Sequence, residues 1–285
     1  CLLSRGLGDV YKRQYVKSLS IICQKGGVGK TTIVVNIGKI FAINGIKTLI
    51  IDLDPQGNTS TYLDFDKNNE FILTSQDLMS GNKSKEIGYL HENMAIIPSN
   101  QSILKFNNEK ILGGSVLKKT IDSFEFKDFD VILFDTPPTM SSLVQEALSA
   151  SDFYLIPTKP EFLAIEGVSQ AMNFAKKSIS NQININPVFL GVILNQVDTR
   201  RSSYVDFENE LSYLLADKLL ETKISNSVDI ADSPYHLKTV EDFKDDSKSK
   251  IEFYQLANEI LERMNINEKI TQQSHYWHKR QRLRS

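Results

Sequence analysis

Lys25-Gly26-Gly27-Val28-Gly29-Lys30-Thr31-Thr32 decides the reading of this chain. The apolar stretch Leu19 to Cys23 leads into it, and Ile33, Ile37, Ile40 and Phe41 follow at helical spacing. Strand, glycine-rich loop and helix form the context that a phosphate-binding loop needs. Glycines let the backbone bend until its N–H groups converge on phosphate oxygens. Lys30 can reach the terminal phosphates, the Thr31 hydroxyl can bind Mg²⁺, and the helix N-terminus adds its positive dipole end. The general pattern G-x-x-x-x-G-K-[ST] would place a glycine at position 24, where this chain has Gln24, and an additional lysine, Lys25, opens the loop. A surface turn rich in Gly and Lys would explain the composition but not the flanking strand and helix patterns.

The rest of the chain fits that start. Its 285 residues suffice for one large α/β domain or two small ones. A hydrophobic content of 41% and a charged content of 24% are ordinary for a soluble globular protein, and no apolar run approaches bilayer-spanning length. Cys1 and Cys23 cannot make a disulfide or metal framework; Cys23 is expected to be a buried free thiol and the protein to be cytoplasmic. A net charge of −2 means that any nucleic-acid contact needs a local basic patch. Residues 1–14 resemble translated adapter or vector sequence and are set aside from fold reasoning, with the native start expected near Tyr15 to Lys17.

Strand and helix patterns alternate, which predicts a mostly parallel twisted sheet with helices on both faces. Asn44-Gly45 stops the first helix, and Ile46 to Ile51 is a strand ending in Asp52-Leu53-Asp54-Pro55-Gln56-Gly57-Asn58. Residues 59–93 are polar, with a short helix expected at Ser75 to Met79. Further strands are expected at Met94–Ile97, Val131–Phe134, Phe153–Ile156 and Val188–Leu194. Helices are expected at Lys110–Ser123, Ser141–Ala150, Ile165–Ser178, Val205–Ala216 and Lys248–Met264, while 221–248 reads as irregular. The expectation is a single α/β P-loop NTPase domain over 15–264, followed by a polar and basic tail, 265–285.

Candidate chemistry collects at strand ends, where ligands bind in open α/β sheets. Asp135 follows Val131-Ile132-Leu133-Phe134, the arrangement of a carboxylate that holds Mg²⁺ through water. Asp52 and Asp54, two apart, point the same way if the strand continues through them. One of them can then support the metal while the other orients a water; alternatively, both cap backbone N–H groups in a turn.

Together these segments resemble the ParA/Soj family of deviant Walker-A ATPases, relatives of MinD. The matching pieces are Lys25 to Thr32, Asp52 to Asn58, Ile132 to Pro138, Ile156-Pro157 with Glu161 and Glu166-Gly167, and Gly191 to Asn195, spread over about 17–264. The resemblance implies ATP and Mg²⁺ as cofactors, with ATP on residues 25–32 (Lys25, Gly26, Gly27, Val28, Gly29, Lys30, Thr31, Thr32) and the metal near Thr31, Asp52 and Asp135. It implies that Lys25 reaches the nucleotide of a second copy in an ATP-bound homodimer, as an arginine finger would. It gives Asp54 the positioning of the attacking water, Asp52 the support of the metal shell, and Lys25, Lys30 and Asp54 the catalytic roles. Switch segments would comprise Asp52, Asp54 and Pro55, then Asp135, Thr136, Pro137 and Pro138. Asn195, at a strand end, is the candidate base contact, against a turn-forming alternative.

The resemblance also implies a partition switch that binds DNA nonspecifically, associates with the nucleoid, positions a chromosome, plasmid or other cargo, and is stimulated by a ParB-like partner. The family's basic segment corresponds here to Ile224-Ser225-Asn226-Ser227-Val228-Asp229, which lacks its basic residues. The remaining candidates for DNA contact are Arg200, Arg201, Lys218 and Lys223, with Lys279, Arg280, Arg282 and Arg284 in the tail. The expectation is DNA binding that is weaker or rearranged. A MinD-like membrane-cycling protein is the alternative, but it needs a C-terminal amphipathic helix, and the residues after Ile270 show no sustained apolar face, so no membrane contact is expected. A nitrogenase-iron-protein type of reductase lacks the cysteines, and a non-hydrolysing scaffold conflicts with the intact Lys25, Lys30, Thr31, Asp54 and Asp135.

Overall fold

The structure, a computed structural model, describes residues 16–82, 84–107, 115–123, 126–161, 163–180, 186–267 and 270. Short apolar runs become buried strands and amphipathic segments cover them. In chain order the elements are β1 (Lys17–Ile21), α1 (Lys30–Ile43), β2 (Thr48–Asp52), α2 (Asn58–Tyr62), α3 (Ser75–Met79), β3 (Gly88–His91) and β4 (Met94–Ile97). There follow α4 (Val116–Ser123), β5 (Val131–Asp135), α5 (Ser142–Ala150), β6 (Phe153–Thr158), α6 (Ala164–Ser180), β7 (Val188–Val197), α7 (Ser202–Leu215), β8 (Leu219–Ser225), α8 (Val228–Asp232) and α9 (Lys248–Arg263).

Among the described residues the strands make one sheet in the order β3-β4-β2-β5-β1-β6-β7-β8. Every pairing is parallel except that of β3 with β4. The chain winds outward from β1 in both directions, so the loop after β1 lies at a topological switch point. α1 and α9 cover one face through Ile33, Ile37, Phe41, Phe253, Ala257 and Ile260. The other face packs against α4 and α5 through Leu117, Leu143 and Ala147, and against α6 and α7 through Val168, Ala171, Ala175 and Leu211. Cys23 is a buried free thiol.

One alternative is decided and one expectation is corrected. β2 ends at Asp52, and the N–H groups of Asp54 and Gln56 turn back to Asp52 Oδ1 and Asp54 Oδ1 at 2.9 Å, the capping turn rather than the continued strand. The stretch expected to be irregular holds the end of β8, then α8 and a 3₁₀ turn, Val240–Asp242. β8 is an edge strand with polar residues interleaved, so it carries no apolar run. Its free N–H groups are satisfied from α9 instead: Glu259 accepts from Glu221 and Thr222 at 2.9 Å, and Glu252 accepts from Ser225 at 2.8 Å. α2 and β3 lie in the polar 59–93 stretch (α2 begins at Asn58), where α3 is the element expected. α4 is described from Val116; the expected helical residues 110–114 and the tail from 271 lie outside the described residues.

Candidate functional site

The carboxyl ends of β1, β2, β5, β7 and β8 surround one cavity of about 420 Å³. Gly26, Gly27, Gly29, Lys30, Thr31 and Thr32 form its floor. Asp54, Gln56 and Asn58 stand on the side of β2, with Pro138 after β5. Asn195, Gln196, Ser225, Asn226 and Ser227 stand on the far side, backed by Ile230, Ala231 and Pro234. The loop bends at Gly27 and Gly29, with φ of 69° and 89°, and Gly29 is the N-cap of α1. The N–H groups of the first helical turn therefore face the cavity.

Parallel register sets Asp52 beside Asp135 on neighbouring strands, and both are fully buried. Asp135 Oδ2 accepts from the hydroxyls of Thr31 and Thr59, each at 2.7 Å. Asp52 Oδ1 accepts from the Asp54 N–H, and Asp54 Oδ1 accepts from the Gln56 N–H at 2.9 Å. Asp52 Oδ2 and Asp135 Oδ1 are buried without a partner. Burial, and then the charge of Asp135, push the Asp52 carboxyl well above the ordinary carboxylate range. Burial also raises Asp135, against the hydroxyls of Thr31 and Thr59 and the charge of Lys30.

Two orphaned carboxylate oxygens beside a threonine hydroxyl fit a hard divalent cation. Among the described residues no group of three or more His, Cys, Asp or Glu could hold a metal by itself.

Asn195 lies under the loop. Its Nδ2 donates to the Val28 carbonyl at 2.7 Å, and its Oδ1 accepts from the Gln196 N–H at 2.9 Å. Gln196, with a positive φ of 55°, donates from Nε2 to the Gly27 carbonyl at 3.1 Å. Lys25 points out of the loop and is paired with Glu161, both about half exposed. Glu161 is held below the ordinary value by its hydrogen bond from Lys25. Thr136 is buried and donates to the Ile21 carbonyl at 2.6 Å, Pro137 is buried behind it, and Pro55 is half-buried in the loop after Asp54.

The basic candidates do not converge. Arg200 clamps Asp198 with Nε and Nη2 at 2.8 and 3.0 Å, and Arg201 stands 3.9 Å from the same carboxylate. Both follow β7 at the phosphate edge of the sheet. Lys218 precedes β8, at the opposite edge, and pairs with Asp217 at 3.4 Å. Lys223, within β8, pairs with Glu208. The tail lysine and arginines lie outside the described residues, as does the segment an amphipathic membrane helix would occupy. No described helix is long and apolar enough to cross a membrane.

Thr59 and Gln196 belong to the site but carry no motif, and Ser225, Asn226 and Ser227, in the counterpart of the family's basic segment, stand at the cavity instead. Thr59 had one available signal: a hydroxyl residue one turn after the Asp54 loop.

Residues 16–187 match the AAA domain family. The chain is similar to the chromosome-partitioning ATPase Soj of Treponema pallidum, at 30% identity over 255 residues, 87% of this chain and 98% of that protein. It is similar to the sporulation initiation inhibitor protein Soj of Bacillus subtilis, at 29% identity over 253 residues, 86% of this chain and 98% of that protein. The fold matches a plasmid partition protein of Borrelia burgdorferi bound to AMPPNP with a TM-score of 0.73, at 22% identity, covering 87% of this chain and 99% of that one.

Proposed function

This chain belongs to the ParA/Soj family of P-loop ATPases, whose AAA domain it carries over 16–187, and on that premise we propose that it is an ATP-hydrolysing partition switch. ATP binding drives homodimerisation and association with duplex DNA of any sequence. A ParB-like partner stimulates slow hydrolysis and release, so that a chromosome, plasmid or other cargo is positioned within the cytoplasm on the nucleoid. The Soj relatives favour this reading over membrane cycling.

One observation carries it: Asp52 Oδ2 and Asp135 Oδ1, buried and unpartnered beside Thr31, lie under a phosphate loop. Thr31, Asp52 and Asp135 would hold Mg²⁺, which when bound neutralises charge on the transferred phosphoryl group. The N–H groups of 26–32 and the Lys30 ammonium bind the phosphates. Asp54, a buried carboxylate at the cavity wall, orients the attacking water and accepts its proton. Thr136, Pro137 and Pro138 follow the γ-phosphate. Asn195 spends one N–H on Val28 and one oxygen lone pair on Gln196, which leaves one of each for the base.

Lys25 serves the second protomer's nucleotide. Its pairing with Glu161 is exposed, and pairs of that kind are worth only about 0–1 kcal/mol, so it exchanges readily for a phosphate. Asp54→Ala, unable to turn over, is expected to run as a dimer on size exclusion with ATP and Mg²⁺ and as a monomer with ADP. A variant that stays monomeric with ATP sinks the dimer mechanism, and wild-type turnover in Asp54→Ala removes the role given to Asp54.

A further inference from the structure

The buried hydroxyl of Tyr62 joins segments that are far apart in sequence. Tyr62 ends α2, the short helix after the Asp54 loop, and its ring is enclosed. Asn36, fully buried in α1, donates from Nδ2 to Tyr62 Oη at 3.2 Å. Ser233, immediately after α8, shares a short hydrogen bond with the same oxygen.

The proton order in this network is fixed by chemistry. The Val240 N–H can only donate, and it meets Asn36 Oδ1 at 2.8 Å, so the Asn36 amide nitrogen faces Tyr62. Tyr62 accepts there, and its own proton therefore goes to Ser233. The Ser233 hydroxyl in turn donates to the Ile230 carbonyl at 2.9 Å. The second Asn36 hydrogen goes to the Thr32 carbonyl at 2.8 Å, in the first turn behind the phosphate loop. Every donor is used, and a buried chain of this kind is costly to break at one link.

Its two ends both lie at the cavity. At one end, α2 is anchored through Thr59 to Asp135 Oδ2, the oxygen that also receives Thr31. At the other, Ile230, Ala231 and Pro234 form the wall beyond Asn226. The outer side of that segment exposes Val228 and Tyr235 to solvent. Tyr62 itself does not line the cavity.

From this we infer that Tyr62 is a positioning residue that couples the phosphate end of the site to the 228–240 wall. A rearrangement of Thr31, Thr59 and Asp135 on nucleotide binding moves α2, and the Tyr62–Ser233 link carries that displacement to α8. The occupancy of the site is thereby written onto the solvent-exposed side of that wall, at Val228 and Tyr235. The inference rests on the nucleotide reading of the site.

Hydrogen–deuterium exchange on the full chain tests it, with and without ATP and Mg²⁺. In the wild type, nucleotide is expected to slow exchange over both 25–32 and 228–240. In Tyr62→Phe, which keeps the ring, slowing over 25–32 persists while that over 228–240 weakens by about fivefold, the factor carried by one net hydrogen bond. Ser233→Ala breaks the link from the other side and gives the same pattern, which keeps the test open if Tyr62→Phe does not fold. A purely structural hydroxyl would instead raise exchange equally with and without nucleotide, and that result overturns the coupling. So does undiminished nucleotide-dependent slowing over 228–240 in both variants, or wild-type slowing confined to 25–32. No wild-type change at 25–32 overturns the nucleotide reading itself.

Discussion

The Asn195 amide nitrogen, 2.7 Å from the Val28 carbonyl, stands 2.2 Å from where a Cβ on Gly29 would lie. Gly29 is thus required twice, by a φ of 89° and by contact with a buried side chain that supports the loop. Gly29→Ala is expected to lose about 1–3 kcal/mol of stability and to bind a fluorescent ATP analogue at least about tenfold more weakly. In Gly29→Ala/Asn195→Ala the loss should be smaller than the sum of the two single losses, because the clash is gone while the backbone strain and the missing bond to Val28 remain. Additive losses in melting and binding would show that Asn195 and Gly29 do not meet.

Asn195→Ala separates support of the loop from reading of the base. Loss of the bond to Val28 loosens the loop for any polyphosphate, whereas loss of the base contact penalises ATP alone. The expected result is a fall of about tenfold for ATP and about threefold for inorganic tripolyphosphate, one net hydrogen bond apart, read by calorimetric titration. Equal falls for the two ligands would confine Asn195 to the loop.

Local pattern explains what was legible. Lys25 to Thr32, the apolar strand before Asp135 and the helix Ser75–Met79 are short-range signals, the last sharpened by the reciprocal Thr74–Asp77 cap. β8, Leu219-Leu220-Glu221-Thr222-Lys223-Ile224-Ser225, was hidden because it neither alternates nor forms an apolar run, and its partners on the open side are glutamates of α9, about thirty residues away in sequence. Gln196 and the Ser225–Pro234 wall become cavity residues only through tertiary contacts, which no spacing rule encodes, and Thr59 offers only its place one turn after the Asp54 loop. The bonds from Asn195 to Val28 and from Lys25 to Glu161 are equally non-local.

The acidic pair imposes a pH dependence on the nucleotide-free protein. Burial, then the charge of Asp135, raise Asp52 above its ordinary value of 3.8. The folded state therefore keeps a proton that the unfolded chain releases, and stability falls as pH rises. The contribution is fully present below the ordinary value and is lost as pH climbs through the raised one. Thermal melts in metal-free buffer between about pH 4 and pH 8 should show a falling Tm that flattens in Asp52→Asn. ATP with Mg²⁺, by favouring the ionised pair, should flatten it as well. An identical slope in Asp52→Asn would place the proton elsewhere.

Asp198 governs how much positive charge the phosphate edge of the sheet presents. Arg200, by its hydrogen bonds and charge, holds Asp198 down at about 2, so the carboxylate stays ionised at any working pH and offsets one of the two positive charges of Arg200 and Arg201. Asp198→Ala frees both arginines. With ATP and Mg²⁺, retention on nonspecific duplex DNA should tighten in that variant, and the dependence of log affinity on log salt should steepen by about one for each arginine that reaches a phosphate. Arg201→Ala should do the reverse. Lys218→Ala should change neither quantity, because Lys218 lies a full strand away, about 20 Å along β8. Retention that is absent at every salt concentration in wild type and Asp198→Ala alike would remove DNA from the cycle. A loss in Lys218→Ala equal to that in Arg201→Ala would move the contact to the opposite edge of the sheet.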